Sequence, residues 1–196
     1  MKGQTRTMLW IALAAGIAGA LAAFVVHGPG PIWRTELGQR ALQAAIAKPA
    51  PAGLEIAQRG EALPAIHVQT LEGLSVALPL PAGRPALINV WATWCGPCIK
   101  EMPELDAFAQ AQGAHGVQVI GVALDDAQAV RSWLRQRAVR YPQYRDDAGP
   151  RDAGVALGNT AGALPYSILV DADGTVLRQR LGPFDSAAEI ADWARP

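Results

Sequence analysis

Ala86 to Trp91 is an apolar run broken only by Asn89, and after three more residues the chain reads Cys95-Gly96-Pro97-Cys98. An apolar run without alternation is the pattern of a central strand buried on both faces. Pro97 suits the first turn of a helix, where its missing N–H costs nothing, and a helix is predicted from about Pro97 to Gln112. The cysteine pair is thus expected where a buried strand turns into a helix. That placement has chemical consequences. Free N–H groups and the macrodipole at a helix N-terminus favour a thiolate at the first cysteine. Cys98, one turn in, is close enough to resolve a mixed disulfide. Cys95 is therefore expected to be the exposed, attacking thiol, and Cys98 the more buried, resolving one.

Other readings of the pair are weaker. The chain has 196 residues and two cysteines. A disulfide scaffold uses several cysteines spread along a short chain, and the loop closed here is too small to constrain a fold much. A zinc site would need at least two further ligands, and His27, His67 and His115 are isolated in the sequence. No metal is expected. A static disulfide and an inert, vestigial pair are the remaining alternatives.

Around the pair the pattern is α/β. His67-Val68-Gln69 and Ser75-Val76-Ala77-Leu78 read as short strands around the turn Glu72-Gly73. Val117–Leu124 reads as a second apolar strand and Ala127–Val139 as a second helix, so with the first strand and helix they form a β-α-β-α unit with parallel strands. Tyr166–Val170 and Val176–Arg180 are strands joined by Asp171-Ala172-Asp173-Gly174, a hairpin signal. Ser186–Arg195 is a closing helix, with Ser186 as N-cap and Glu189 at N3 forming a capping box.

The N-terminus is different. Met8 to Val26 is an uncharged run of 19 residues. At about 1.5 Å per residue, a helix of that length approaches the roughly 30 Å hydrocarbon core of a bilayer. Lys2 and Arg6 precede it and favour a cytoplasmic N-terminus. A cleaved signal peptide is the rival, with Ala20-Leu21-Ala22 as a small-residue site, but the apolar run continues through Phe24-Val25-Val26. Gly28-Pro29-Gly30-Pro31 ends the segment. Helical spacing follows over Ile32–Ala47, then Lys48-Pro49-Ala50-Pro51. The expected organisation is a cytoplasmic N-terminus (1–7), a transmembrane anchor (8–26), a spacer with one amphipathic helix (27–60) and a globular domain (61–196). Either reading places that domain outside the cytoplasm, and the anchor, the favoured one, makes the chain a single-pass protein of the inner membrane with its domain in the periplasm or extracytoplasmic space. With 17 basic and 17 acidic residues the net charge is zero, and no basic footprint points to a nucleic acid.

From about Leu63 to the C-terminus the chain resembles the thioredoxin superfamily. Trp94-Cys95-Gly96-Pro97-Cys98 is similar to the family's active-site signature. Pro103, eight residues after Cys95, matches the proline within its active-site helix. Leu164-Pro165 matches its cis-proline, which faces the disulfide and helps bind substrate. The anchor, the extra strand pair, Val90-Trp91-Ala92-Thr93-Trp94-Cys95 and Lys100-Glu101-Met102-Pro103 resemble the membrane-anchored TlpA/ResA-like branch. The fold this implies is α/β, thioredoxin-like, a central mixed sheet flanked by helices with an extra N-terminal strand pair.

The resemblance implies Cys95 and Cys98 as catalytic residues, and Trp94, Gly96, Pro97, Leu164 and Pro165 as substrate contacts. Trp91 is expected in the core. Asn89 stands where thioredoxin carries a buried aspartate, and Asn cannot take up a proton in that role. Its plain alternative is a hydrogen-bonded strand residue. Glu101, three residues after Cys98, lies on the same helix face and matches an acid of the ResA-like branch. It is expected to tune the cysteines, the alternative being a solvated helix carboxylate.

The activity implied is reduction of protein disulfides by a monomeric enzyme with no cofactor beyond its Cys95–Cys98 dithiol. Apocytochrome c is one implied substrate, and a membrane protein of the DsbD or CcdA type the implied electron donor. The Gly-Pro dipeptide is that of reducing thioredoxins. An oxidant or isomerase of the same fold, and a non-catalytic binding module, are the alternatives.

Overall fold

The structure is a computed structural model, and it describes residues 35–113 and 115–195. The chain divides into two compact units, Met1–Ala45 and Ile46–Pro196. Helix α1 (Glu36–Ile46) starts where Thr35 Oγ1 accepts the Gly38 N–H at 3.1 Å. The transmembrane segment expected over 8–26 lies outside the described residues; among the described residues no helix is long and apolar enough to cross a membrane.

The second unit is built on one sheet. Its strands are β1 (His67–Gln69), β2 (Ser75–Ala77), β3 (Ala86–Trp91), β4 (Gln118–Leu124), β5 (Gln143–Asp146), β6 (Tyr166–Val170) and β7 (Val176–Leu181). Its helices are α2 (Gly96–Gln112), α3 (Ala127–Leu134), α4 (Ala153–Ala156) and α5 (Ala187–Trp193). The strand order is β2-β1-β5-β4-β3-β6-β7. β3, β4 and β5 are parallel, while β6 and β7 add antiparallel on one side and β1 and β2 on the other. The sheet is therefore mixed, as expected.

β3 lies near the middle and every residue in it is buried. Successive side chains point to opposite faces. Ile88 and Val90 join Ile120, Val122 and Ile168 in one core. Leu87 and Trp91 join the opposite core, with Met102, Leu105 and Phe108 of α2 and Ile190 of α5. The two antiparallel strands at the β7 side end on a covered edge: Gly60 N–H donates to Val176 O and Leu63 N–H to Gly174 O. That segment occupies backbone groups that would otherwise template pairing with another chain.

Three features depart from the sequence expectation. The helix expected over Ala127–Val139 stops at Leu134, with Arg135 as C-cap. The residues freed let the chain turn into β5, which the sequence does not announce because Gln-Tyr-Arg-Asp carries no apolar run. β5 forms because Gly121–Leu124 of β4 offers it a free parallel edge. The third feature is α4, a single turn capped by the Asp152 carboxylate on Val155 N–H at 2.9 Å.

Candidate active site

Cys95 and Cys98 form a disulfide with their Cα atoms 5.3 Å apart. Cys95 is the N-cap of α2 in extended backbone, and its sulfur accepts the Cys98 N–H at 3.3 Å. A helix amide aimed at a sulfur favours negative charge on it. Cys98 is fully buried, the more buried of the two as expected, but Cys95 is only 5% exposed, so the exposed first thiol that the sequence suggested is buried in the oxidised pair. Gly96 and Pro97 between them are exposed.

The loop that delivers Cys95 is anchored from behind. Thr93 donates to Asp125 Oδ2 through both its backbone N–H, at 3.2 Å, and its hydroxyl. Asp125 follows β4, and its backbone carbonyl accepts Arg145 Nε at 2.9 Å. The buried Arg145 also donates to Gln69 Oε1 at 2.7 Å and pairs with Asp147. Asp125 and Arg145 escaped sequence reasoning. The local signal at Asp125 is a pair of acids after an apolar strand, which usually means a solvated turn, and Arg145 lies in the polar stretch of β5.

Trp94 stands 70% exposed beside the disulfide, while Trp91 is fully buried. The Trp91 indole donates to Gln143 Oε1 at 3.0 Å and its ring lies 5.0 Å from that of Trp133. The Leu164–Pro165 peptide is cis. Tyr166 pairs with Val90, so Leu164 and Pro165 lie at the end of the sheet from which residues 92–94 lead to Cys95. The loop before them is bracketed by Asn159, whose amide donates to Ala163 O at 2.8 Å and accepts Ala163 N–H at 3.2 Å.

Asn89 shares a face with Leu87 and Trp91, the face that α2 covers. Its register partner on β6 is Ser167, and Glu101 reaches it from α2. Asn89 Nδ2 donates to Glu101 Oε1 at 2.8 Å and to Ser167 Oγ at 3.1 Å. Glu101 Oε2 accepts the Phe184 N–H at 2.9 Å. Glu101 is therefore no solvated helix carboxylate; it is 1% exposed. Burial pushes its pKa up from 4.5 to about 7, against the opposing pull of the Phe184 N–H, the Asn89 amide and the Arg180 charge. Removing water disfavours the charged form, and three favourable partners only partly restore it. The structure thus joins Asn89 and Glu101, which the sequence suggested separately, Asn89 on the central strand and Glu101 on the helix that carries the cysteines. Among the described residues no cluster of His, Cys, Asp and Glu could hold a metal ion.

The arrangement can perform thiol–disulfide exchange: a helix N-terminus for one sulfur, a second sulfur within bonding distance, and a carboxyl that titrates near neutrality one turn away. Known proteins agree with that chemistry. The Redoxin family matches residues 58–193. The thiol-disulfide oxidoreductase ResA of Bacillus cereus is 33% identical over 126 residues, 64% of this chain and 70% of the relative. The thiol:disulfide interchange protein DsbE of Escherichia coli is 33% identical over 136 residues, covering 67% of this chain and 70% of that one. The crystal structure of a thioredoxin-related protein from Neisseria meningitidis serogroup B superposes with a TM-score of 0.56 at 31% identity, covering 64% of this chain and 93% of that one. With its own cysteine pair as the redox carrier, the chain belongs to the Redoxin family and, within it, to the thioredoxin-fold thiol–disulfide oxidoreductases of the TlpA/ResA type.

Proposed function

We propose that this oxidoreductase works outside the cytoplasm as a protein-disulfide reductase, held at the inner membrane by Met8–Val26. The observation that carries the catalytic reading is the disulfide at the N-terminus of α2, with the Cys95 sulfur on a helix amide. In the reduced enzyme the Cys95 thiolate attacks one sulfur of a substrate disulfide. An S–S bond forms between Cys95 and the substrate, and the substrate's other sulfur leaves as a thiolate and takes up a proton. Cys98 then attacks the Cys95 sulfur, closing the Cys95–Cys98 disulfide and releasing the second substrate thiolate. Two electrons pass from the cysteine pair to the substrate.

Cys98 must lose its proton to attack. Glu101 is the base we assign to that step, since Asn89 carries no titratable group and Glu101 has its pKa close to ambient pH. Trp94, Gly96, Pro97, Leu164 and Pro165 form the surface on which the substrate chain is laid. The reducing direction is supported by the Gly-Pro dipeptide, as in thioredoxin near about −270 mV, against about −120 mV for the strong oxidant DsbA. In an oxidising compartment the disulfide must be recharged by a dithiol donor, and a membrane protein of the DsbD or CcdA type fits that need. Apocytochrome c is the substrate favoured by the likeness to ResA and DsbE.

Two measurements test the reading. Equilibration with glutathione should give a potential well below about −180 mV; a higher value overturns the reductant assignment. Cys98→Ser in the native host should trap substrates as mixed disulfides on Cys95, and apocytochrome c should be among them. A trap that stays empty would sink the catalytic reading.

A further inference from the structure

Glu101 is held from two sides, and only one of them is the sheet. Asn89 comes from β3, but the Phe184 N–H comes from the turn Gly182–Asp185, which joins β7 to α5. A backbone donor in a turn is only as well placed as the turn itself. This turn is gripped by two side chains. Arg180 Nη2 donates to Pro183 O at 2.7 Å and to Glu189 Oε1 at 2.9 Å. Glu189 Oε2 accepts the Asp185 N–H at 2.7 Å. The Arg180 guanidinium also lies 4.2 Å over the Phe184 ring. The four contacts bracket the one residue, Phe184, whose amide reaches Glu101. Arg180 is buried, and a buried ion pair stabilises a fold poorly once desolvation is counted. A role beyond stability is therefore worth assigning to it.

We propose that Arg180 and Glu189 are positioning residues for the exchange reaction: they clamp the β7–α5 turn so that the Phe184 N–H holds Glu101, and through it they set the pH dependence of attack by Cys98. The proposal rests on the reading of Glu101 as the base. The charged and titratable groups that face Glu101 are Arg180 of β7, Glu189 of α5, Tyr141 ahead of β5 and Cys98 of α2 itself. Tyr141 stays protonated, because burial pushes its pKa up. Arg180 and the Phe184 N–H favour the carboxylate, and Glu189 opposes it. Losing Arg180 weakens both favourable influences and leaves Glu189 unpaired.

The test uses the full chain, with Cys95 joined to a chromophoric thiol in a mixed disulfide. Release of the thiol requires attack by Cys98, and its rate is followed against pH. The wild type should show an inflection that Glu101→Gln abolishes. Arg180→Gln should move the inflection upward by about one pH unit, as expected for loss of a close opposite charge. Arg180→Lys keeps the charge without the planar fork and should still move it upward, though less; a Lys variant unchanged from wild type would assign the effect to charge alone and overturn the clamp. If Glu101→Gln abolishes the inflection and Arg180→Gln leaves it in place, the clamp is overturned and the base assignment stands. If the inflection survives Glu101→Gln, the base assignment fails and takes the clamp with it. Should Arg180→Gln not fold, Glu189→Gln replaces it. Loss of the Glu189 charge alone would move the inflection downward, so an upward move, from a loosened turn that withdraws the Phe184 N–H, supports the clamp, and an unchanged or downward inflection overturns it.

Discussion

A carboxyl in the position of Glu101 has few ways to be stable. Its pKa of about 7, against an ordinary 4.5, means that the folded chain holds this proton more tightly than the unfolded chain does. Between those two values the folded state is protonated and the unfolded state is not, so stability falls as pH rises through the window. The total is about 3 kcal/mol for the oxidised protein. Urea unfolding at pH 5 and pH 8 should show the loss, and Glu101→Gln should remove most of it. Asn89 gives a second test. Asn89→Asp would set another carboxyl where the amide now stands, 2.8 Å from Glu101 Oε1. Two such acids share one proton rather than both ionising. The variant should lose about 2 kcal/mol more than wild type between pH 5 and pH 8. An equal loss in the two proteins would mean that the pair is not coupled.

Helix ends and the loops between elements carry the precision of the site. α3 begins at Asp126, whose carboxylate accepts the Gln128 and Ala129 N–H groups. Asp126→Ala should cost about 1 kcal/mol by chemical denaturation. At α5 the expected capping box is present in altered form. Ser186 Oγ accepts the Glu189 N–H at 3.2 Å, but the Glu189 carboxylate reaches Asp185 rather than Ser186. The displaced reach-back lets the same carboxylate meet Arg180. The Cys95 loop depends on Thr93, whose hydroxyl and amide share one oxygen of Asp125. Thr93→Val should slow exchange with a small disulfide several-fold while changing stability by only about 1 kcal/mol. A rate unchanged from wild type would show that the Thr93 hydroxyl is not needed to place Cys95. At this scale the apolar strands and their turns were legible, since each repeats its own pattern. β5 was not, because its polar residues are recruited by an edge that β4 presents.

At the scale of the whole molecule, the reacting groups are confined to one unit. Every group assigned to the exchange lies within Ile46–Pro196, the second compact unit. A chain beginning at Ile46 should therefore reduce a soluble disulfide at the wild-type rate. Its unfolding free energy should agree within about 0.5 kcal/mol, the size of a surface change. A large loss in either would mean that residues before Ile46 complete the domain.

What the sequence determined by itself is local. Ala86–Trp91 reads as a buried strand, Pro97 starts a helix, and Cys95 and Cys98 must stand at the junction, because periodicity and φ restriction act over a few neighbouring residues. Asn89, Glu101 and Pro165 could be named there, but not what they touch. Only the tertiary structure decided that Asn89 bonds Glu101 across 12 residues of chain and that Phe184 does so across 83. Those contacts depend on the register of β3 with β6, on α2 crossing one face of the sheet, and on a turn held by Arg180 and Glu189. The buried setting that brings the Glu101 carboxyl close to neutrality is made by all of them together, and no single stretch of sequence contains it.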